Sequence, residues 1–483
     1  MELLNRLQEL EQDARKLEIE PSERYRLTET AVSYTKNFLN AVDEKKAFEE
    51  TEDKARPLLD HPFTEDSAPF DKLLELLDRE VNHKGLNPTS PNHMGYIPGG
   101  GLYPSAVADF LAAVTNRYAG MFFSAPGAVR MENMCIRWMC DLVGYPEGAA
   151  GNLTSGGSIA NLIALVTARD SAGLRSADFE NAVIYITRQV HHCAIKAFRF
   201  AGMADATIRH IPMDAHFRIR PDLLRQQVAE DKKEGLNPFM IFSSAGTTDI
   251  GAVDPLQELA DIADEHSLWF HVDAAYGGFF LLTEHGRQKM RGIDRADSVI
   301  IDPHKGLFLP YGSGALMVRD GKKLYDSQHM EANYLQDTHK ATGEYSPADL
   351  SPELSKHFRG LRMWLPLKLF GVKPFRTALE EKRQLTHYFY DKIREIDGIE
   401  VGPEPELSVM FFRYLPEEGD PNTFNKKLVD AIHKDGRVFL SSTHIEGRIY
   451  LRLAVLNFRT HLEHIKITLQ VIREKIAEIK DSG

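Results

Sequence analysis

Apolar positions along the chain follow two periods, and the change from one to the other divides it into three parts. Near the start, Leu3, Leu7, Leu10, Ala14 and Leu17 recur at intervals of four and three, which places them on one seam of a helix. Two heptads are too short for a free-standing coiled coil, so the stripe packs either on its own chain or on a partner helix. A second helix is predicted to begin after Ser22, with Ser22 as its cap and Glu23 in its first turn. Residues 1–86 read as a helical segment without chemistry of its own.

Between residues 87 and 370, short β-branched or aromatic runs alternate with helical stretches. The runs are AVIYIT from Ala182, ATIRHI from Ala206, PFMIFS from Pro238, LWFHV from Leu268 and SVII from Ser298; helices are predicted over Ser158–Arg169, Pro221–Lys232 and Pro255–His266. This alternation specifies an α/β domain, a mostly parallel central sheet with helices on both faces. Ligands of such sheets lie beyond the carboxyl ends of the strands, so chemistry is to be sought just after each run. Residues 371–483 repeat the alternation on a smaller scale, with helices to about Arg394, over Phe424–Lys434 and from Thr460, and strands in LSVMFFRYL and RIYLRLAV. They form a small α+β domain. The polar stretch Glu331–Ser355, with Gly343, Pro347 and Pro352, is predicted to be a mobile loop.

Composition narrows the function. A chain of 483 residues is long enough for several domains and a large buried site. With 43% apolar and 27% charged residues it has the balance of a soluble globular protein, and its net charge of −12 argues against broad binding along a nucleic-acid backbone. Three cysteines, Cys135, Cys140 and Cys193, do not make a disulfide framework, which points to the cytoplasm. No run reaches the roughly 18 apolar residues that span a bilayer. The opening MELLNRLQELEQDARK mixes both charge signs, unlike an export signal, so neither membrane insertion nor export is expected.

The residues that can carry chemistry follow the strand runs. Asp273 ends LWFHV in HVDAAYGG, and a carboxylate at the end of a buried strand is costly unless it meets a cation or hydrogen-bond donors. Lys305 follows SVII in DPHKG, one crossover later, so the two face one crevice. Desolvation there would lower the lysine's pKa and free its amine to attack a carbonyl. In LTSGGSIANL, Gly156, Gly157 and Ser158 open a helix whose unpaired N–H groups suit a phosphate. His191 and His192 follow AVIYITRQV at the same sheet edge, where one could lie flat on an aromatic ligand or simply cap a helix.

Other chemistries lack support. There is no P-loop, and no G-x-G-x-x-G follows a strand. His461 and His464 share a helix face without a third ligand and read as surface histidines, so no metal is expected. Ser155, Ser243 and Ser244 do not match a nucleophile elbow, and Cys193 reads as a small buried residue opening a helix.

A reactive lysine, an acid on the adjacent strand, a phosphate-binding helix start and a flat histidine are the parts that hold pyridoxal phosphate. In order along the chain, PNHMGYIPGGGLYPS, TSGGSIANL, QVHHCAIKA, AGTTDIGAVDPL, HVDAAYGG, SVIIDPHK and FRGLRMWLPLKLFG resemble the group II pyridoxal-phosphate-dependent amino-acid decarboxylases, the family of aromatic-L-amino-acid, histidine and glutamate decarboxylases. The resemblance implies a fold-type I PLP-dependent transferase-like architecture in a cytoplasmic homodimer. It implies a carboxy-lyase that turns an L-amino acid into a primary amine and carbon dioxide.

It also implies roles. Lys305 is similar to the lysine that forms a Schiff base with the cofactor, and Asp273 to the acid that keeps the pyridine nitrogen protonated. His191, two residues after Gln189, is similar to the histidine stacked on the ring. Gly157 and Ser158 resemble the phosphate cradle, His304 the histidine before the lysine, and Thr248 a threonine beside the cofactor. Tyr345 resembles the tyrosine that protonates the substrate carbon, and Arg452 an arginine near the substrate. Tyr96 and Ile97 stand where aromatic decarboxylases place apolar contacts. With Phe122 and Phe123 they favour an aromatic or bulky apolar substrate over an acidic one; ordinary core packing is the other reading of these side chains.

The pattern has departures. The spacing from Tyr345 to Phe358 is two residues longer than in the family, Gly306 stands where Trp is frequent, and Ser313 where Cys or Ala is usual. Asp302 takes a position held by Asn in several members; an anion would repel the phosphate, so Asp302 is expected to point elsewhere. Three alternatives stay open: an aldehyde synthase, which a Phe at the loop tyrosine would favour; an aldehyde lyase, which needs a second phosphate pocket; and a silent scaffold, which intact Lys305, Asp273 and His191 disfavour.

Overall fold

The computed structural model describes residues 2–330 and 344–481. Seven strands build the central sheet: β1 Ala150–Thr154, β2 Ala182–Ile186, β3 Thr207–His210, β4 Asn237–Ser244, β5 Trp269–Asp273, β6 Ser298–Ile301 and β7 Gly314–Val318. They lie in the order β1-β7-β6-β5-β4-β2-β3, with β7 alone running against its neighbours. The five predicted runs are β2 to β6. Every residue of β5 and β6 is buried, as in a sheet covered on both faces, so these strands read as continuous apolar runs.

β1 and β7 were not legible. β1 carries Gly151 and Asn152, poor strand formers, and gains its place from contact: a Cβ at Gly151 would lie 2.0 Å from the Leu316 carbonyl of β7. The predicted crossover helices form at Gly157–Ser171, Pro221–Lys233 and Leu256–His266. Register sets the site. Ser244 pairs with Asp273 and Asp273 with Ile300, so the carboxyl ends of β4, β5 and β6 finish at one level.

The C-terminal part is a second sheet, β8 Ile399–Val401, β9 Val409–Tyr414, β10 Ser441–Ile445 and β11 Arg448–Ala454, antiparallel in the order β8-β9-β11-β10. Helices Lys373–Ile393, Pro421–Asp435 and Leu462–Asp481 pack on it around Phe389, Phe412, Leu428 and Ile472. The sequence pattern missed β8, which has three residues, and β10, where every second residue is exposed.

Two expectations for the N-terminal segment are corrected. The first helix, Glu2–Ala14, buries none of its residues, and Leu3 and Leu17 are 74% and 86% exposed, so among the described residues nothing of its own chain covers the stripe. The second helix, Pro21–Asn40, begins one residue before Ser22 with Glu20 at its N-cap and no side-chain cap; Pro21, whose ring presets the helical φ, starts it instead. Of the expected mobile loop, residues 331–343 lie outside the described residues, and Pro347–Leu350 is a short 3-10 turn. Among the described residues, no helix is long and apolar enough to cross a membrane.

Candidate active site

A cavity of about 320 Å³ opens beyond the carboxyl ends of β4, β5 and β6. Gly157, Ser158 and His191 line it from two helix starts, Thr248 from the loop after β4, Asp273 from the end of β5, and His304 and Lys305 from the turn after β6.

Asp273 is buried and fixed through both oxygens. Oδ2 accepts from Asn161 Nδ2 at 3.0 Å and Oδ1 from the Ala275 amide at 3.1 Å. Lys305 sits on the turn Pro303–Gly306, its Nζ 3.1 Å from Asp302 Oδ2. The expected fall of its pKa is not what the site produces. Burial pulls the ammonium down, but the Asp302 and Asp273 carboxylates outweigh that and hold it above the usual lysine range.

Asp302 is therefore corrected as well. It faces the cavity, because its Oδ2 is the partner of Lys305, and a Cβ added at Gly157 would lie 3.1 Å from that same oxygen. The cation three residues later on the same turn neutralises an anion that would otherwise repel a phosphate.

His304 also borders the cavity, with Nδ1 against the Ser313 carbonyl and Nε2 3.7 Å from Asp302. Burial lowers its pKa despite that carboxylate. His191 caps the helix His192–Phe200, its Nδ1 accepting from the Cys193 amide at 3.3 Å. The capping reading holds for His191, which also lines the cavity. Burial lowers the His191 pKa, with Asp273 pulling the other way. Burial pushes the Cys193 thiol up to about 11, which makes it a poor nucleophile.

The substrate-side residues are not brought together. Tyr345 lies with its ring 5.6 Å from that of Tyr325 and is 41% exposed, outside the cavity lining. Arg452 is buried, and its guanidinium donates to the carbonyls of Asp249, at 3.1 Å, and Thr248, and to Ser441 Oγ at 3.1 Å. It clamps the Thr248 loop from the small sheet. Ile97 is a buried core residue, Tyr96 packs on Phe439 with ring centroids 5.6 Å apart, Phe122 lies under the Arg130 guanidinium and Phe123 is exposed. Core packing was the correct reading of Ile97. The segment still reaches the site through its backbone, because a Cβ at Gly99 would lie 2.3 Å from the His304 carbonyl.

Gly306 replaces a bulky residue for a local reason: a Cβ there would meet the Phe279 Cβ at 2.7 Å. Ser313 is buried, its hydroxyl accepting from Arg362 at 3.1 Å. His464 is buried, which corrects its reading as a surface residue, and its Nδ1 accepts from the His461 amide; among the described residues there is no cluster that could hold a metal.

Sequence reasoning passed over Asn161 and His271. Both had a signal. Asn161 is a polar residue in the apolar run after Ser158, and His271 lies two residues before Asp273 on the same strand face.

The donor set fits pyridoxal phosphate. The helix Gly157–Ser171 has no side-chain cap, which leaves its first amides to an anion. Asp273 supplies an anion for a ring nitrogen, and Lys305 an amine for an aldehyde. Gln189 and Asp302 line the same cavity, and their buried Oε1 and Oδ1 have no hydrogen-bond partner among the described residues. A profile described as the pyridoxal-dependent decarboxylase conserved domain matches residues 53–415. The chain belongs to this family.

It is accordingly a carboxy-lyase that uses pyridoxal phosphate. It is 34% identical over 472 residues to an aromatic-L-amino-acid decarboxylase of Bacillus atrophaeus, covering 96% of this chain and 98% of that one. A phenylacetaldehyde synthase of Arabidopsis thaliana is 29% identical, with 86% of this chain and 89% of the relative covered. The crystal structure of Oryza sativa TDC with PLP and tryptamine superposes with a TM-score of 0.90 at 26% identity, covering 95% of this chain and 99% of that one.

Proposed function

We propose that the enzyme removes the carboxylate of an aromatic or bulky apolar L-amino acid to give the primary amine and carbon dioxide. The observation that carries this reading is the meeting of Lys305 and Asp273 in one cavity beside an uncapped helix start. Similarity to the aromatic-L-amino-acid decarboxylase of Bacillus atrophaeus and to the rice enzyme crystallised with tryptamine supports the aromatic choice.

Lys305 would hold the cofactor's aldehyde carbon, Asp273 its ring nitrogen, His191 its ring face, and Gly157 and Ser158 its phosphate, with Thr248 beside the cofactor and His304 beside Lys305. When bound, the cofactor supplies an electron sink for the pair left on Cα as carbon dioxide departs. The rest belongs to the chain. The uncapped helix start and Lys305 balance the negative charge gathered at the Asp302 end of the cavity. Asp273, held through both oxygens, presents a second, fixed carboxylate to the same cavity. Arg452 acts by holding the Thr248 loop. Replacing carboxylate by hydrogen consumes one proton, and Tyr345 or a histidine is the proposed donor.

The exposed leucine stripe supports a homodimer, and three free buried cysteines are consistent with a cytoplasmic setting. Mass spectrometry of the product from purified protein, added cofactor and an amino-acid panel tests the reading. Aromatic amines are expected; preference for glutamate or aspartate would overturn the substrate. The Arabidopsis relative favours a second reading, oxygen-dependent conversion to an aldehyde with release of ammonia and peroxide. Oxygen uptake in step with carbon dioxide release would select it.

A further inference from the structure

Trp269, Ser298, His271 and Asn161 form a continuous buried line that ends on Asp273. Trp269 Nε1 is 2.9 Å from Ser298 Oγ, Ser298 Oγ is 2.8 Å from His271 Nδ1, His271 Nε2 is 2.9 Å from Asn161 Oδ1, and Asn161 Nδ2 is 3.0 Å from Asp273 Oδ2. Chemistry at the two ends fixes every direction between them. Indole N–H only donates and an ionised carboxylate only accepts. The Asn161 amide must turn its NH2 to Asp273, so its oxygen faces His271 and requires the proton on Nε2. His271 Nδ1 is then the acceptor of the Ser298 hydroxyl, and Ser298 Oγ accepts from Trp269.

We infer that this line is a positioning device for the cofactor: Asn161 and His271, set by Ser298 and Trp269, aim the Asp273 carboxylate. The inference rests on the proposal that Asp273 holds the ring nitrogen of pyridoxal phosphate. Three facts favour it over an ordinary polar core. Asn161, His271 and Ser298 are each at most 1% exposed, and burying three polar side chains where apolar ones would pack is costly unless every group is satisfied. The line starts at the far end of β5 and ends in the cavity, using alternate residues 269, 271 and 273 that share one face of the strand. With Oδ1 held by the Ala275 amide and Oδ2 by Asn161, the plane of the carboxylate is fixed.

The line carries no net charge before Asp273. Burial lowers the His271 pKa to about 4, with Asp273 opposing, so the imidazole is neutral at physiological pH. The Phe242 ring packs on His271 at 4.5 Å between centroids, the Cys193 sulfur is 3.3 Å from Asn161 Nδ2, and at the outer end the Lys323 ammonium lies over the Trp269 ring at 5.3 Å.

The test uses the full-length protein and pyridoxal phosphate, with cofactor affinity and the visible absorbance of the bound cofactor as readouts and apo-protein melting as the structural control. Asn161→Leu is expected to weaken cofactor binding by about 10- to 100-fold, the weight of a hydrogen bond to a charged group. Ser298→Ala, which touches neither cavity nor cofactor, is expected to weaken it by roughly threefold or more and to shift the absorbance, because His271 loses the donor that sets its tautomer. Ser298→Thr, which keeps the hydroxyl, should restore both. Wild-type affinity and absorbance in Ser298→Ala, or an equal loss in Ser298→Thr, would overturn the inference, and this pair decides even if Asn161→Leu does not fold. Absence of cofactor uptake by the wild type is a different result and would remove the cofactor proposal itself, and the inference with it.

Discussion

Lys305 Nζ lies 3.1 Å from Asp302 Oδ2, and both residues belong to the turn that follows β6. Burial pulls the ammonium's pKa down, while Asp302 and then Asp273 raise it further, so the net direction is upward. A cation whose pKa is raised by folding stabilises the folded protein fully below its ordinary value, and the contribution is lost as pH rises through the raised one. The cofactor-free protein therefore keeps this stabilisation at neutral pH. The same ion pair opposes bond formation to an aldehyde, which needs the neutral amine. Asp302→Asn should speed cofactor attachment at mildly alkaline pH, by about tenfold for each unit the lysine pKa falls. The rise of visible absorbance in stopped flow measures it, and an unchanged rate would show that the pair does not govern attachment.

Lys305→Ala should abolish both covalent cofactor binding and carbon dioxide release while leaving the chain folded. Borohydride treatment followed by peptide mapping should label the peptide containing Lys305 in the wild type alone. Full turnover in the variant would remove the basis of the proposed function.

Lys356 and Glu132 form a fully buried pair, with Nζ 2.7 Å from Oε1, and each also contacts the Leu153 backbone of β1. Removing one partner leaves the other charge without compensation. Lys356→Met should cost about 3–5 kcal/mol, and a double replacement by apolar residues should cost less than that. Denaturant midpoints of the two variants, compared at equal protein concentration, give the answer. Because Leu153 lies just before the Gly-Gly turn, the single variant should also bind cofactor more weakly.

Arg452 donates to Thr248, Asp249 and Ser441, which leaves it occupied within the protein. Burial lowers its pKa to about 10, still far above neutrality, so the cation persists. Arg452→Met removes the donor from the Thr248 and Asp249 carbonyls and should loosen the Thr248 loop. The expected result is weaker cofactor binding and a lower kcat at saturating cofactor, with little change in KM. A large rise in KM alone would instead assign Arg452 to the substrate.

The stripe on the first helix exposes Leu7 by 53% and Leu10 by 49%. A patch of this kind is normally covered by a partner. Leu7→Glu with Leu10→Glu should move the light-scattering mass from dimer to monomer. A monomeric wild type with full activity would end the homodimer proposal.

The chain's own pattern determined the alternation of β2 to β6 with crossover helices, and with it the level at which Asp273 and Lys305 emerge. Period and strand ends are local properties, written in which residues are apolar. It also marked Gly157, Ser158 and His191, because each directly follows or opens a regular element, whereas Thr248 and His304 came from the family resemblance alone. Only the tertiary structure decided the rest. β1 with Gly151 and Asn152 becomes a strand through close contact with β7, and Asp302 turns into the cavity because Lys305 is there to meet it. Ile97 is packed into the core, and Arg452 is engaged by the carbonyls of Thr248 and Asp249, far along the chain. Asn161 and Asp273 are distant in sequence, and their hydrogen bond exists because a helix and a strand are brought side by side. Local periodicity sets which element a residue joins; its partner and charge are set by neighbours that only the folded chain supplies.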